Sequence, residues 1–138
     1  MSASTEAHKN LWGELPGIAN VRAPVAILRE QGGVLEKATQ GLLSCRVSQR
    51  SEGSRFCIEM ALLARPLDNY TFSILEACHD VTLYPVTIFP SDGERIDCED
   101  QEGFEKALSS VLQSETIRRA ISGLLTQMKS DRLLSPLG

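Results

Sequence analysis

The stretch RFCIEMALLARPLDNYTFSILEACHDVTLYPVTIF, residues 55–89, decides the fold of this chain. Its first part places Phe56, Ile58, Met60 and Leu62 at a spacing of two, while the alternate positions Cys57, Ala61 and Leu63 are interrupted by a single charge, Glu59. A period of two marks a β-strand, and a strand that is apolar on both sides belongs inside its sheet rather than at an edge. PLDN (66–69) has the composition of a turn. YTFSILEAC (70–78) then resumes the alternation, with Tyr70, Phe72 and Ile74 opposed to Thr71, Ser73 and Leu75. VTLYPVTIF (81–89) is rich in β-branched and aromatic residues and reads as a further strand. Because Pro85 has no amide hydrogen to give to a ladder, that strand is expected at an edge, or bulged at Tyr84–Pro85.

On the N-terminal side, LLSCRVSQR (42–50) alternates Leu43, Cys45 and Val47 with Ser44, Arg46 and Ser48, a strand with one wet face, and SEGS (51–54) connects it to the next. Before it, Pro24 suits the first turn of a helix whose stripe is Val25, Leu28, Gly32, Leu35 and Thr39, with Gly41 as a left-handed terminator. Gly32 and Gly33 lie inside that helix, where each costs about 1 kcal/mol relative to alanine, so a neighbouring backbone is expected to approach closely. On the C-terminal side, PSDGERIDCED (90–100) reads as a polar loop and Asp100 as the cap of a helix bearing Phe104, Leu108, Val111 and Leu112. Ser114 opens a last helix with Ile117, Ala120, Ile121, Leu124, Leu125 and Met128 on one stripe. The expected fold is α+β: an N-terminal helix, a four-stranded antiparallel meander and two C-terminal helices on the sheet. Residues 21–130 form the single domain, residues 1–20 a mobile arm and 131–138 a loose tail.

A chain of 138 residues is long enough to bury a core without crosslinks or metal. Fourteen basic against 18 acidic residues give a net charge of −4, the opposite of the basic surface that nucleic-acid binding needs. There is no apolar run of membrane-spanning length and no secretory signal order, so a cytoplasmic protein is expected, with Cys45, Cys57, Cys78 and Cys98 as reduced thiols. No histidine or C-x-x-C pair stands at ligand spacing, so neither metal nor cofactor is expected.

Cys78-His79-Asp80 invites a catalytic reading. Aspartate and histidine tolerate the backbone of a reversal, however, and adjacent side chains in an extended segment point apart, so the expectation here is a hairpin tip. Cys78 continues the face of Phe72 and Ile74 as a buried thiol. Cys98 is expected to be exposed and made unreactive by Asp97, Glu99 and Asp100. No nucleophile-elbow, zinc-protease or phosphate-loop motif is present.

The segments LDNYTFSILEACHDVTLYPVTIF (67–89) and FEKALSSVLQSETIRRAISGLLTQMKS (104–130) resemble a set of small uncharacterised bacterial proteins, some carried as gene cassettes on mobile elements. The resemblance covers roughly the second half of the chain and implies no activity, substrate or catalytic residue.

What remains is a reading by elimination. With no catalytic constellation, the expected function is that of a non-enzymatic interaction protein resembling a regulator or inhibitor. It self-associates as a homodimer through a second apolar sheet face of Cys57, Ala61, Leu63, Leu75 and Ala77. An acidic loop of Asp92, Glu94, Asp97 and Glu99 is offered to a basic protein partner, and no nucleic acid or membrane partner is expected. Trp12, between Leu11 and Leu15, is too costly to leave in water, so the arm is expected to dock, on its own domain or on a second copy. The alternative is a small-molecule site, possibly enzymatic, in a cleft near His79, Tyr84 and Asp68.

Overall fold

The computed structural model describes residues 8–134, with side chains through residue 130; the expectations for residues 1–7 and 135–138 lie outside this range. The elements are helix α1 (Pro24–Ala38), strands β1 (Ser44–Glu52), β2 (Arg55–Ala64), β3 (Tyr70–His79), β4 (Val86–Pro90) and β5 (Ile96–Cys98), then helices α2 (Gln101–Leu112) and α3 (Glu115–Leu134). The sheet is antiparallel throughout, in the order β1-β2-β3-β4-β5. The α+β class and the placing of the helices are as the sequence implies, but there are five strands, not four. The fifth lies inside what reads as a polar loop. Ile96 and Cys98 pair with Ile88 and Val86 and so carry the sheet one strand further. Because β5 occupies that side, β4 is an interior strand. Pro85 sits just before its ladder and removes no hydrogen bond from it.

Helix α1 begins at Pro24 and ends as the sequence requires. The chain leaves through left-handed Gln40 and Gly41, and the Gly41 amide donates to the Glu36 carbonyl. Gly32 has the expected role, since a Cβ there would stand 2.9 Å from Cys45 Cβ, so its absence lets α1 lie against β1. Asp100 caps α2 by accepting from the Gly103 amide at 2.8 Å. Helix α3 continues to Leu134, so the first residues of the expected loose tail are helical.

All three helices bury their apolar stripes on one face of the sheet. Phe104, Leu28, Ile58, Val86 and Ile88 have no accessible surface, and Ile117, Leu124 and Met128 close the layer from α3. A β-bulge sets which β3 residues join them. Met60 pairs with Leu75 but Ala61 pairs with Ser73, so Ile74 has no partner and both Ile74 and Leu75 turn into the core. Ser91 takes up the irregularity, its amide and hydroxyl donating to the carbonyls of Ile74 and Ser73. Beyond the bulge the alternation of β3 is reversed. Ala77 and His79 face the helices, while Glu76 and Cys78 face away.

Candidate functional site

That reversal redraws the expected sites. Leu75 and Ala77 are 1% and 0% exposed beneath the helices, so they cannot form an association face with Cys57, Ala61 and Leu63, which lie on the outer side of the sheet. The outer face is also more polar than a self-docking surface requires. Arg46, Ser48 and Arg50 on β1 stand beside Ala61, Glu59 and Cys57 on β2, and Arg50 bridges to Glu76 on β3 at 2.6 Å. Ala61, Leu63 and Phe89 add only scattered apolar surface there.

Cys57 and Cys78 are directly paired across β2 and β3, with Cα atoms 4.1 Å apart, and form a disulfide. This corrects both the expectation of four reduced thiols and the placing of Cys78 on the core face. Long polar side chains, not packed apolar ones, surround the bond. Arg50 and Glu76 pair next to it, Glu52 Oε1 is 3.9 Å from Cys57 Sγ, and Arg55 donates to the Cys78 carbonyl. Of the two free cysteines, Cys45 is half-buried and burial pushes its thiol up to about 11. Cys98 is buried and not exposed as expected. Its thiol is also raised, first by burial and then by Asp97 and Asp100. Neither is a nucleophile at neutral pH.

The alternative site does not assemble. Asp68 is a left-handed residue at the turn leading into β3, whereas His79 is the last residue of that strand, so roughly 30 Å separates them. His79 is not the tip of a hairpin. It is a buried strand residue opposite Phe56, and the reversal is made by Asp80–Leu83, where the Leu83 amide donates to the Asp80 carbonyl. The imidazole Nδ1 is 2.6 Å from the Asp80 carbonyl oxygen. A carbonyl only accepts, so Nδ1 carries a hydrogen and the ring is tied to its own loop. Tyr84 has a structural task as well: its hydroxyl donates to the Arg22 carbonyl at 2.9 Å and its ring meets Phe104 edge-on. Burial, and secondarily Glu105, pushes the phenol up to about 12. It therefore stays a neutral donor that fastens the segment before α1 to the core.

The acidic residues are dispersed. Asp92 accepts a hydrogen bond from the Thr116 hydroxyl at the start of α3, and Asp97 accepts one from Thr87 on the outer face. Glu94 and Glu99 are exposed beside β5, where charge also discourages edge-to-edge pairing of sheets.

Two other features are more promising, the second of them the arm that Trp12 already marks in the sequence. One is a cleft of about 400 Å³ between α3 and the start of β3, with Leu67, Tyr70, Phe72, Ala120 and Leu124 on its walls, Gly123 leaving one side open and Arg119 at the rim. The other is the arm. Leu11, Trp12, Leu15 and Ile18 are 86%, 80%, 67% and 101% exposed, so the described part of the arm does not dock on its own domain. It is nevertheless shaped. The Asn10 side chain accepts from the Trp12 amide and donates to the Gly13 carbonyl, and Gly13 is left-handed, a turn that holds Leu11 and Trp12 outward.

Comparison with protein-family models, curated proteins and solved structures finds no match for this chain.

Proposed function

We propose that the protein is a small non-catalytic association module whose N-terminal arm is its contact element. The single observation that carries the reading is the exposure of four large apolar side chains on the arm, two of them, Leu11 and Trp12, in the Asn10–Gly13 turn. Each is worth about 1.5–3 kcal/mol when fully buried. Burying Trp12 and one leucine from each of two exchanged arms gives about 6–12 kcal/mol, which exceeds an association cost of about 4–15 kcal/mol only near the low end of that cost and sets a dimer of micromolar order at the tightest. The receiving surface is the cleft of Leu67, Tyr70, Phe72 and Leu124 on the second copy, whose volume accommodates an indole and a leucine side chain. The arm is rooted at Arg22, held by Tyr84 and by Gln101, at the opposite end of the sheet from that cleft. With about 33 Å of extended reach from Arg22 back to Trp12, it spans the distance to a neighbouring molecule.

This reading keeps self-association but moves it from the sheet face to the arm. It leaves Glu94 and Glu99 exposed to a basic protein partner, with Asp97 held by Thr87 and Arg95. Light scattering during size-exclusion chromatography tests the assembly. The full chain is expected to elute with twice its monomer mass at tens of micromolar, and Trp12→Ser with Ile18→Ser to return it to one. These positions are exposed, so the substitutions leave the domain folded. A single-chain mass for the unaltered protein at all concentrations would refute the proposal.

The same cleft supports a second reading. Its apolar walls with Arg119 and the Tyr70 hydroxyl at the rim suit a small apolar carboxylate. Saturable binding of an aromatic carboxylate, lost in Arg119→Ala, by a chain that remains monomeric would favour this alternative.

A further inference from the structure

We infer that the reduced Cys57–Cys78 pair, together with Glu76, is a binding site for a thiophilic divalent cation such as zinc, and that the disulfide is its closed form. The Sγ atoms of Cys57 and Cys78 and a carboxylate oxygen of Glu76 all lie within 4.8 Å of one another on the outer face of the sheet. Glu52 Oε1 is 3.9 Å from Cys57 Sγ but lies outside this group of three, which leaves one position of a four-coordinate ion to water. Two thiolates and a carboxylate, with water in the fourth position, form a donor set suited to a tetrahedral d¹⁰ ion. With metal–sulfur bonds of about 2.3 Å, two thiolates on one ion stand about 3.8 Å apart. Side chains whose Cα atoms are directly opposed reach that separation by rotating about χ1, without moving the strands.

The electrostatics agree. Arg50, which bridges Glu76 at 2.6 Å and stands 3.7 Å from Glu52, already balances the carboxylates and remains as a counter-charge when the ion enters among three anionic donors. Opening the site is a two-electron reduction. A thiolate of a dithiol reductant attacks one sulfur and breaks the Cys57–Cys78 bond. The second thiol of the reductant then displaces the mixed disulfide. The reductant leaves as a disulfide and both cysteines are protonated. Binding of M²⁺ then releases those two protons. The pair is thus closed in an oxidising compartment and open to metal in a reducing one.

Titration with Cd²⁺, followed by the ultraviolet thiolate-to-cadmium charge-transfer band, tests this on the full chain. The reduced, desalted protein is expected to bind one ion per chain, and the oxidised protein none. Cys57→Ser with Cys78→Ser should abolish the band, whereas Cys45→Ser with Cys98→Ser should leave it unchanged. Glu76→Gln leaves both cysteines and the sheet in place and should weaken binding about 10-fold or more. A reduced chain with no charge-transfer band would overturn the proposal. So would a band that survives the Cys57/Cys78 change, or affinity indifferent to Glu76→Gln.

Discussion

Gly32 and Gly33 are consecutive in α1, yet the structure predicts that replacing them with alanine has opposite effects. At Gly33 an added methyl meets nothing within 4 Å, so Gly33→Ala gains the helix propensity alone, about 1 kcal/mol. At Gly32 the same methyl would stand 2.9 Å from Cys45 Cβ, which is side-chain root and not a flexible end, so either the helix or β1 must shift. Overpacking of this kind costs about 1–3 kcal/mol, and after the propensity gain Gly32→Ala is expected to be neutral to about 2 kcal/mol destabilising. The two variants should therefore differ by about 1–3 kcal/mol. For a chain of 138 residues this is about 3 °C in Tm per kcal/mol, readily resolved by circular dichroism or calorimetry. A Cys45→Gly background should erase the difference, because the opposing carbon is then gone. Equal shifts in the two variants would refute the packing of α1 on β1 described above.

Removing the crosslink with Cys57→Ala and Cys78→Ala, which frees a loop of 21 residues' separation, should lower unfolding free energy by about 3 kcal/mol in denaturant titrations, and reductant should then have no further effect. Asp100→Ala, which removes the cap on α2, should cost about 1 kcal/mol in the same assay. In a Tyr70→Phe background the remaining tyrosine, Tyr84, should ionise near 12 and not near 10 in an ultraviolet titration. The phenol of the folded chain is raised above that of the unfolded chain, so its contribution to stability is complete below pH 10 and is lost as pH rises from there through about 12. Gly123→Leu has open space for its Cβ and better helix propensity, so it should raise Tm while filling the cleft and weakening association.

The fold class was legible because each major element carries its own period. Phe56 to Leu62 alternate as a strand does, and Phe104, Leu108 and Val111 recur as a helix does. The strand β5 was not, since three residues set among acidic neighbours carry too little pattern to stand out. The face of β3 was misread beyond Ile74 because a bulge leaves no mark on residue types, yet it exchanges the two sides of every later position. Cys78 therefore reads as core and lies outside. The pairing of the cysteines was hidden for the same reason: the register set at the turn, with Ala64 opposite Tyr70, would bring Cys57 opposite Ala77, and only the bulge moves it opposite Cys78. The grouping of Asp68 with His79 failed for a simpler reason: they lie at opposite ends of one strand. The sequence left the arm's docking open between its own domain and a second copy, because Leu11, Trp12 and Leu15 have the composition of a buried segment.

Trp12 is the only tryptophan and sits 80% exposed on the arm, so its fluorescence reports directly on the contact proposed here. On raising the concentration of the full chain from nanomolar to tens of micromolar, the emission should shift to shorter wavelength along a saturable curve, in step with the doubling of mass, as the indole leaves water. Emission that stays that of a solvated indole across the whole range would contradict an arm that docks on a second copy.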